Sequence, residues 1–77
     1  MAIRHYKFRL KIKDLLADRG MSQSELAEIT GLRRATISEM AQNSRTVINK
    51  VHLAKVMDAL DVNDLAEILE LVIEETF

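Results

Sequence analysis

Residues 22 to 42 read Ser22-Gln23-Ser24-Glu25-Leu26-Ala27-Glu28-Ile29-Thr30-Gly31-Leu32-Arg33-Arg34-Ala35-Thr36-Ile37-Ser38-Glu39-Met40-Ala41-Gln42. The stretch holds two short amphipathic helix patterns hinged at Gly31. Ser22 and Glu25 form a capping box, in which each side chain satisfies an otherwise unpaired backbone N–H of the other. Leu26, Ala27 and Ile29 make the inner face of the first helix, and Gly31 suits the positive φ that ends it. In the second pattern, Ile37, Met40 and Ala41 fall at i, i+3 and i+4 and face inward. Arg34, Ala35, Ser38, Glu39 and Gln42 occupy the opposite arc. Two arginines opening an outward-facing helix suit its presentation to the major groove of DNA.

Outward from this unit, further helices are expected at about Leu10–Arg19, Asn49–Leu60 and Asp64–Leu69. The first repeats Ile12, Leu15 and Leu16 at helical spacing and stops at Gly20. The next has Val51 or His52, Leu53, Val56, Met57 and Leu60 as its inner stripe. Asn49 and Asn63 are the expected N-caps. The fold class is therefore read as all-α, a compact five-helix bundle forming one domain over residues 1–77. The termini stay open: Ile3–Phe8 and Glu70–Glu74 are rich in β-branched or aromatic residues and either extend helices or pair as a two-stranded ribbon.

Composition agrees with a small packed domain. The 77 residues are 48% hydrophobic and 30% charged, with no Pro and no Cys. Without thiols, stability must come from packed helices rather than disulfides or a Cys-based metal knuckle. The longest apolar runs are three residues, far short of a membrane span or a signal-peptide core, so no membrane role and a cytoplasmic location are expected. Net charge is only −1, but residues 1–55 carry +6 and residues 56–77 carry −7. A basic body suits a polyanion, and the acidic end suits either solvent or a protein partner. The basic start (Arg4, Lys7, Arg9, Lys11, Lys13) reads as a solvated face, with an arm along DNA as the alternative.

From Ile12 to Leu65 the chain resembles the Cro and phage-repressor type of helix-turn-helix regulators. Gly20, Ser22-Gln23, Glu25-Leu26-Ala27, Thr30-Gly31-Leu32, Ile37-Ser38, Leu53, Val56 and Leu60 carry the resemblance, over about two thirds of the chain. The chain departs from the family pattern in three places. Leu16 and Ala41 stand where many members hold an Arg–Glu pair, and an apolar pair replaces such an ion pair without loss of stability. Arg33 replaces a capping Ser or Thr, at a cost of about 1 kcal/mol. Asn43-Ser44 replaces Asn-Gly, and Asn tolerates the left-handed region.

The resemblance implies a DNA-binding transcriptional regulator, a repressor encoded by a prophage or mobile element, acting as a homodimer on a two-fold operator. It places base reading on Arg34, Ala35, Thr36, Ser38 and Glu39. Arg34 matches guanine O6 and N7, with a phosphate clamp as the alternative, Ala35 a thymine methyl, and Glu39 a cytosine amino group or a salt bridge to Arg33 or Arg34. Phosphate contacts fall to Ser22 and Gln23 at a helix N-terminus, and to Arg33, Gln42, Asn43, Arg45 and Lys50. The surplus apolar surface of the tail (Leu65, Ile68, Leu69, Leu71, Val72, Ile73) is the expected dimer element. An antitoxin or antirepressor module, binding a basic protein through the acidic segment, is the alternative.

No enzyme is expected. His5 and His52 are the only histidines and lack metal-ligand spacing. No Gly-rich phosphate loop exists, so no cofactor is expected. Ser22 has a capping role and Ser38 a surface role, His52 reads as structural, and Met21, Met40 and Met57 read as core.

Overall fold

A computed structural model describes residues 3–76. Its elements are β1 (Ile3–Leu10), α1 (Ile12–Arg19), α2 (Gln23–Thr30), α3 (Arg34–Gln42), α4 (Lys50–Ala59), a 3-10 turn (Leu65–Glu67) and β2 (Leu69–Thr76). The five-helix all-α expectation is thus corrected. Four α-helices carry a two-stranded antiparallel ribbon, an α+β mixture, in which β1 and β2 pair from Ile3 opposite Thr76 to Leu10 opposite Leu69.

The termini form strands because their apolar residues alternate. Tyr6, Phe8 and Leu10 share one face of β1, and Leu69, Leu71 and Ile73 share that face of β2, a period of two that a helix would scatter around its circumference. At the root of the ribbon, the Lys11 N–H donates to the Ile68 carbonyl at 2.7 Å. Leu10, expected to open the first helix, instead ends β1 and is buried. The expected fifth helix shrinks to the 3-10 turn, capped by Asp64 rather than Asn63. So short a segment gains too few backbone bonds to offset helix nucleation, and the chain must turn at once into β2.

The helix punctuation follows the sequence closely. Gly20 and Gly31 end α1 and α2 with φ of 61° and 74°, and Asn43 ends α3 at φ 56°. The Asn49 side chain accepts from the Val51 and His52 N–H groups, capping α4. Arg33 precedes α3 with no side-chain cap hydrogen bond.

The core gathers Leu10, Ile12, Leu15, Leu16, Leu26, Ile37, Ala41, Val56, Leu60, Val62 and Ile68. Leu16 and Ala41 are both buried in it, as the apolar replacement of an ion pair requires. Leu32, Met21, Met40, Leu53 and Met57 pack against it half-buried. Ile29, expected inside, is exposed, and so is Val51, which leaves the half-buried His52 and Leu53 to open the inner stripe of α4. On a two-turn helix already anchored by Leu26, the arc that meets α3 and α4 is too narrow to take in Ile29 as well. Among the described residues, no helix is long and apolar enough to cross a membrane.

Candidate nucleic-acid interface

The second helix of the hinged pair is held by its inner residues. Ile37 is fully buried and Ala41 nearly so, which turns Arg34 and Ala35 to solvent and leaves Thr36, Ser38 and Glu39 half-exposed. The outward arc expected from the sequence is therefore the arc that the fold presents. α2 packs against both α3 and α4, so the position of α3 is fixed from behind.

α2 opens beside this arc. The Ser22 Oγ accepts from the Glu25 N–H at 3.1 Å, and the Ser22 N–H donates to Glu25 Oε1 at 3.2 Å. The capping box thus consumes the Ser22 N–H, while its hydroxyl proton remains free to donate. The backbone donors left for an anion are the first-turn N–H groups of Gln23 and Ser24, which no intrahelical carbonyl can reach. Arg34 ties α3 to this spot: its Nη1 donates to Ser24 Oγ at 2.6 Å. Sequence reading passed over Ser24. The available signal was its place as the second helical residue, one turn ahead of Glu28 on the outer face.

Glu39 pairs with neither Arg33 nor Arg34. Arg45, in the loop after α3, donates from Nε to Glu39 Oε2 at 2.7 Å and from Nη2 to Oε1 at 3.3 Å. This two-pronged fork holds the Glu39 carboxyl below the usual carboxylate range, its hydrogen bonds being the main cause, and raises the Arg45 guanidinium correspondingly. With the folded value depressed, the pair's contribution is in place at neutral pH and disappears as acidification passes through that lowered value. Both side chains are exposed to solvent, so the stabilisation is small. Positioning of the loop is the larger consequence.

Asn43 is committed elsewhere. Its Oδ1 accepts from the Leu10 N–H at 2.6 Å and its Nδ2 donates to the Leu10 carbonyl at 3.1 Å. The amide clasps the end of α3 to the end of β1. Gln42 Nε2 donates to Ser38 Oγ at 3.3 Å on the outer arc. Arg33 and Lys50 stand exposed at the starts of α3 and α4 and pair with no carboxylate among the described residues.

The charge polarity of the sequence is partly absorbed by the ribbon. Arg4 pairs with Glu75 at 2.9 Å, Lys7 with Glu74 at 3.1 Å and Arg9 with Glu70 at 3.2 Å. The basic start is therefore a solvated face rather than a free arm, and three of its cations face three of the tail's acids. What remains positive lies on the helical body, where Arg33, Arg34 and Lys50 surround α3.

No curated protein and no solved structure matches the chain. A family model described as the Cro/C1-type HTH DNA-binding domain matches residues 11–74. An outward-facing α3, the adjoining free N–H groups of α2 and this match have one meaning: the chain belongs to the Cro/C1-type helix-turn-helix DNA-binding family.

Proposed function

We propose that this DNA-binding regulator is a sequence-specific repressor that binds a two-fold operator as a homodimer. The observation that carries the reading is the orientation of α3. Burial of Ile37 and Ala41 directs Arg34, Ala35, Thr36, Ser38 and Glu39 toward the floor of a major groove. Gln23 and Ser24 N–H groups, the Ser22 hydroxyl, Arg33, Gln42 and Lys50 hold the flanking phosphates, and Arg45 joins them when released from Glu39. Asn43 contributes by fixing the loop that carries Arg45. A single domain of this size makes few base contacts, and two-fold pairing doubles them. Glu70, Glu74 and Glu75 already have partners within the chain, so the alternative docking role of the acidic segment rests on Asp58, Asp61, Asp64 and Glu67.

Selection of bound duplexes from a random DNA pool tests the reading directly. Enrichment of an inverted repeat supports it, whereas recovery of unrelated sequences rejects it.

Arg34→Ala is expected to cost about 1–3 kcal/mol on the selected operator and to relax preference at one base pair. Fluorescence anisotropy on the operator and its single-base variants separates the outcomes. An equal loss on every sequence would make Arg34 a phosphate clamp. Glu39→Gln should act in the opposite direction on random DNA. It removes a carboxylate from the rim and frees Arg45, so affinity for an unrelated duplex rises several-fold and the salt slope steepens by about one. If operator affinity falls instead, Glu39 accepts from a base.

A further inference from the structure

Two arginines stand at opposite ends of the outward arc of α3, and their guanidinium groups are engaged in different ways. A guanidinium offers two parallel N–H donors along its Nε–Nη2 edge, a fork that matches a carboxylate or the O6 and N7 acceptors of guanine. Arg45 has closed this fork on Glu39, from Nε at 2.7 Å and from Nη2 at 3.3 Å. Arg34 is held by its other nitrogen, Nη1, which donates to Ser24 Oγ at 2.6 Å. Among the described residues the Nε–Nη2 fork of Arg34 has no partner.

The tie crosses the hinged pair of helices. Ser24 is the second residue of α2 and Arg34 the first of α3, and the two helices pack against each other. Ser22 and Glu25 are occupied by the capping box, whereas the Ser24 hydroxyl takes no part in it. Both Ser24 and Arg34 are exposed, so water competes for their bond and it adds little to the stability of the fold.

We propose that Ser24 is a positioning residue for base recognition, its hydroxyl aiming the open fork of Arg34 at a guanine. The proposal rests on the base-reading role given to Arg34 above and names the group that directs it. A hydroxyl suits the task because it holds the cation without cancelling its charge, as Glu39 does for Arg45. An unrestrained arginine loses the freedom of several rotatable bonds on docking, and a tie made before binding removes part of that loss. It also selects an edge: a guanidinium pinned at Nη1 presents Nε and Nη2 together, the arrangement that a guanine accepts and a lone phosphate oxygen does not require. When the groove closes over the pair and water leaves, the bond between a neutral acceptor and a charged donor strengthens. Its effect on recognition therefore exceeds its effect on folding.

The test compares the selected operator with the duplex altered at the base pair that Arg34→Ala relaxes, by anisotropy on the full chain. Ser24→Ala is expected to lower the ratio of the two affinities by about three- to tenfold, with the urea midpoint held. Ser24→Thr, which returns a hydroxyl to the same place, should recover most of that ratio. In an Arg34→Ala background, Ser24→Ala should move the ratio by less than about twofold, because the group it aims is gone. An equal loss on both duplexes, the same change with and without Arg34, or no recovery in Ser24→Thr overturns the positioning role alone. A fall in the urea midpoint that accounts for the lost binding makes Ser24 a structural residue and overturns it equally. If Arg34→Ala relaxes no base pair, the base-reading assignment falls and this proposal with it.

Discussion

Raising monovalent salt from about 50 to about 200 mM is expected to weaken DNA binding by about a thousandfold, even though the whole chain is slightly acidic. Each phosphate neutralised releases condensed counterions, and about three per protomer give a dimer a slope near −5 in log K against log salt. The net charge of −1 would suggest a far weaker response. It misleads because it sums the whole chain, in which the ribbon's three ion pairs cancel to zero. Arg33, Arg34 and Lys50 meanwhile stand around α3, with no carboxylate pairing Arg33 or Lys50 among the described residues. Anisotropy titrations at several salt concentrations provide the slope. A flat response would mean that the α3 face does not meet a phosphate backbone.

Ile37→Ala is expected to destabilise the domain by about 2–5 kcal/mol, through lost transfer energy and the cavity left behind. A domain of this length has a total stability of only about 4–11 kcal/mol, so the loss removes a large share of it. Ile37 is fully buried on the inner face of α3, and it is what orients the reading arc. Ile29→Ala is the matched comparison. Ile29 is 58% exposed, and the same change there should cost less than about 1 kcal/mol. Urea unfolding of the two variants measures the difference as a shift in midpoint at constant slope. Similar losses at both positions would place Ile29 in the core, as the sequence pattern alone suggests, and contradict the packing of α2.

That pair of isoleucines marks how far periodicity can be read. Ile29 and Ile37 look equivalent in the sequence, since each falls on the apolar stripe of a short helix. Which of them is covered depends on the width of the contact that α2 and α3 make with their neighbours, and no local pattern contains that width. The reading arc on α3 was legible because it is the complement of Ile37, Met40 and Ala41 on one helix. The Glu39–Arg45 fork was not, because Arg45 lies in a loop whose path depends on Asn43 reaching across to Leu10.

The sequence by itself determined the local features. The capping box at Ser22, the left-handed turns at Gly20, Gly31 and Asn43, the Asn49 cap and the membership of α1 to α4 all follow from interactions within a few residues. These features suffice to identify a helix-turn-helix. Only the tertiary structure decided the fate of the termini. Alternation of apolar residues lets Ile3–Leu10 and Leu69–Thr76 become strands, but each does so only by finding the other across residues 11–68. The same encounter decides the electrostatics, turning a basic start and an acidic end into three ion pairs and leaving the cations around α3 to meet DNA. It also creates an apolar ribbon face, since alternation puts Tyr6, Phe8, Leu71 and Ile73 on one side once the register is set. Backbone hydrogen bonds between distant strands carry that information, and only a folded core brings those strands together.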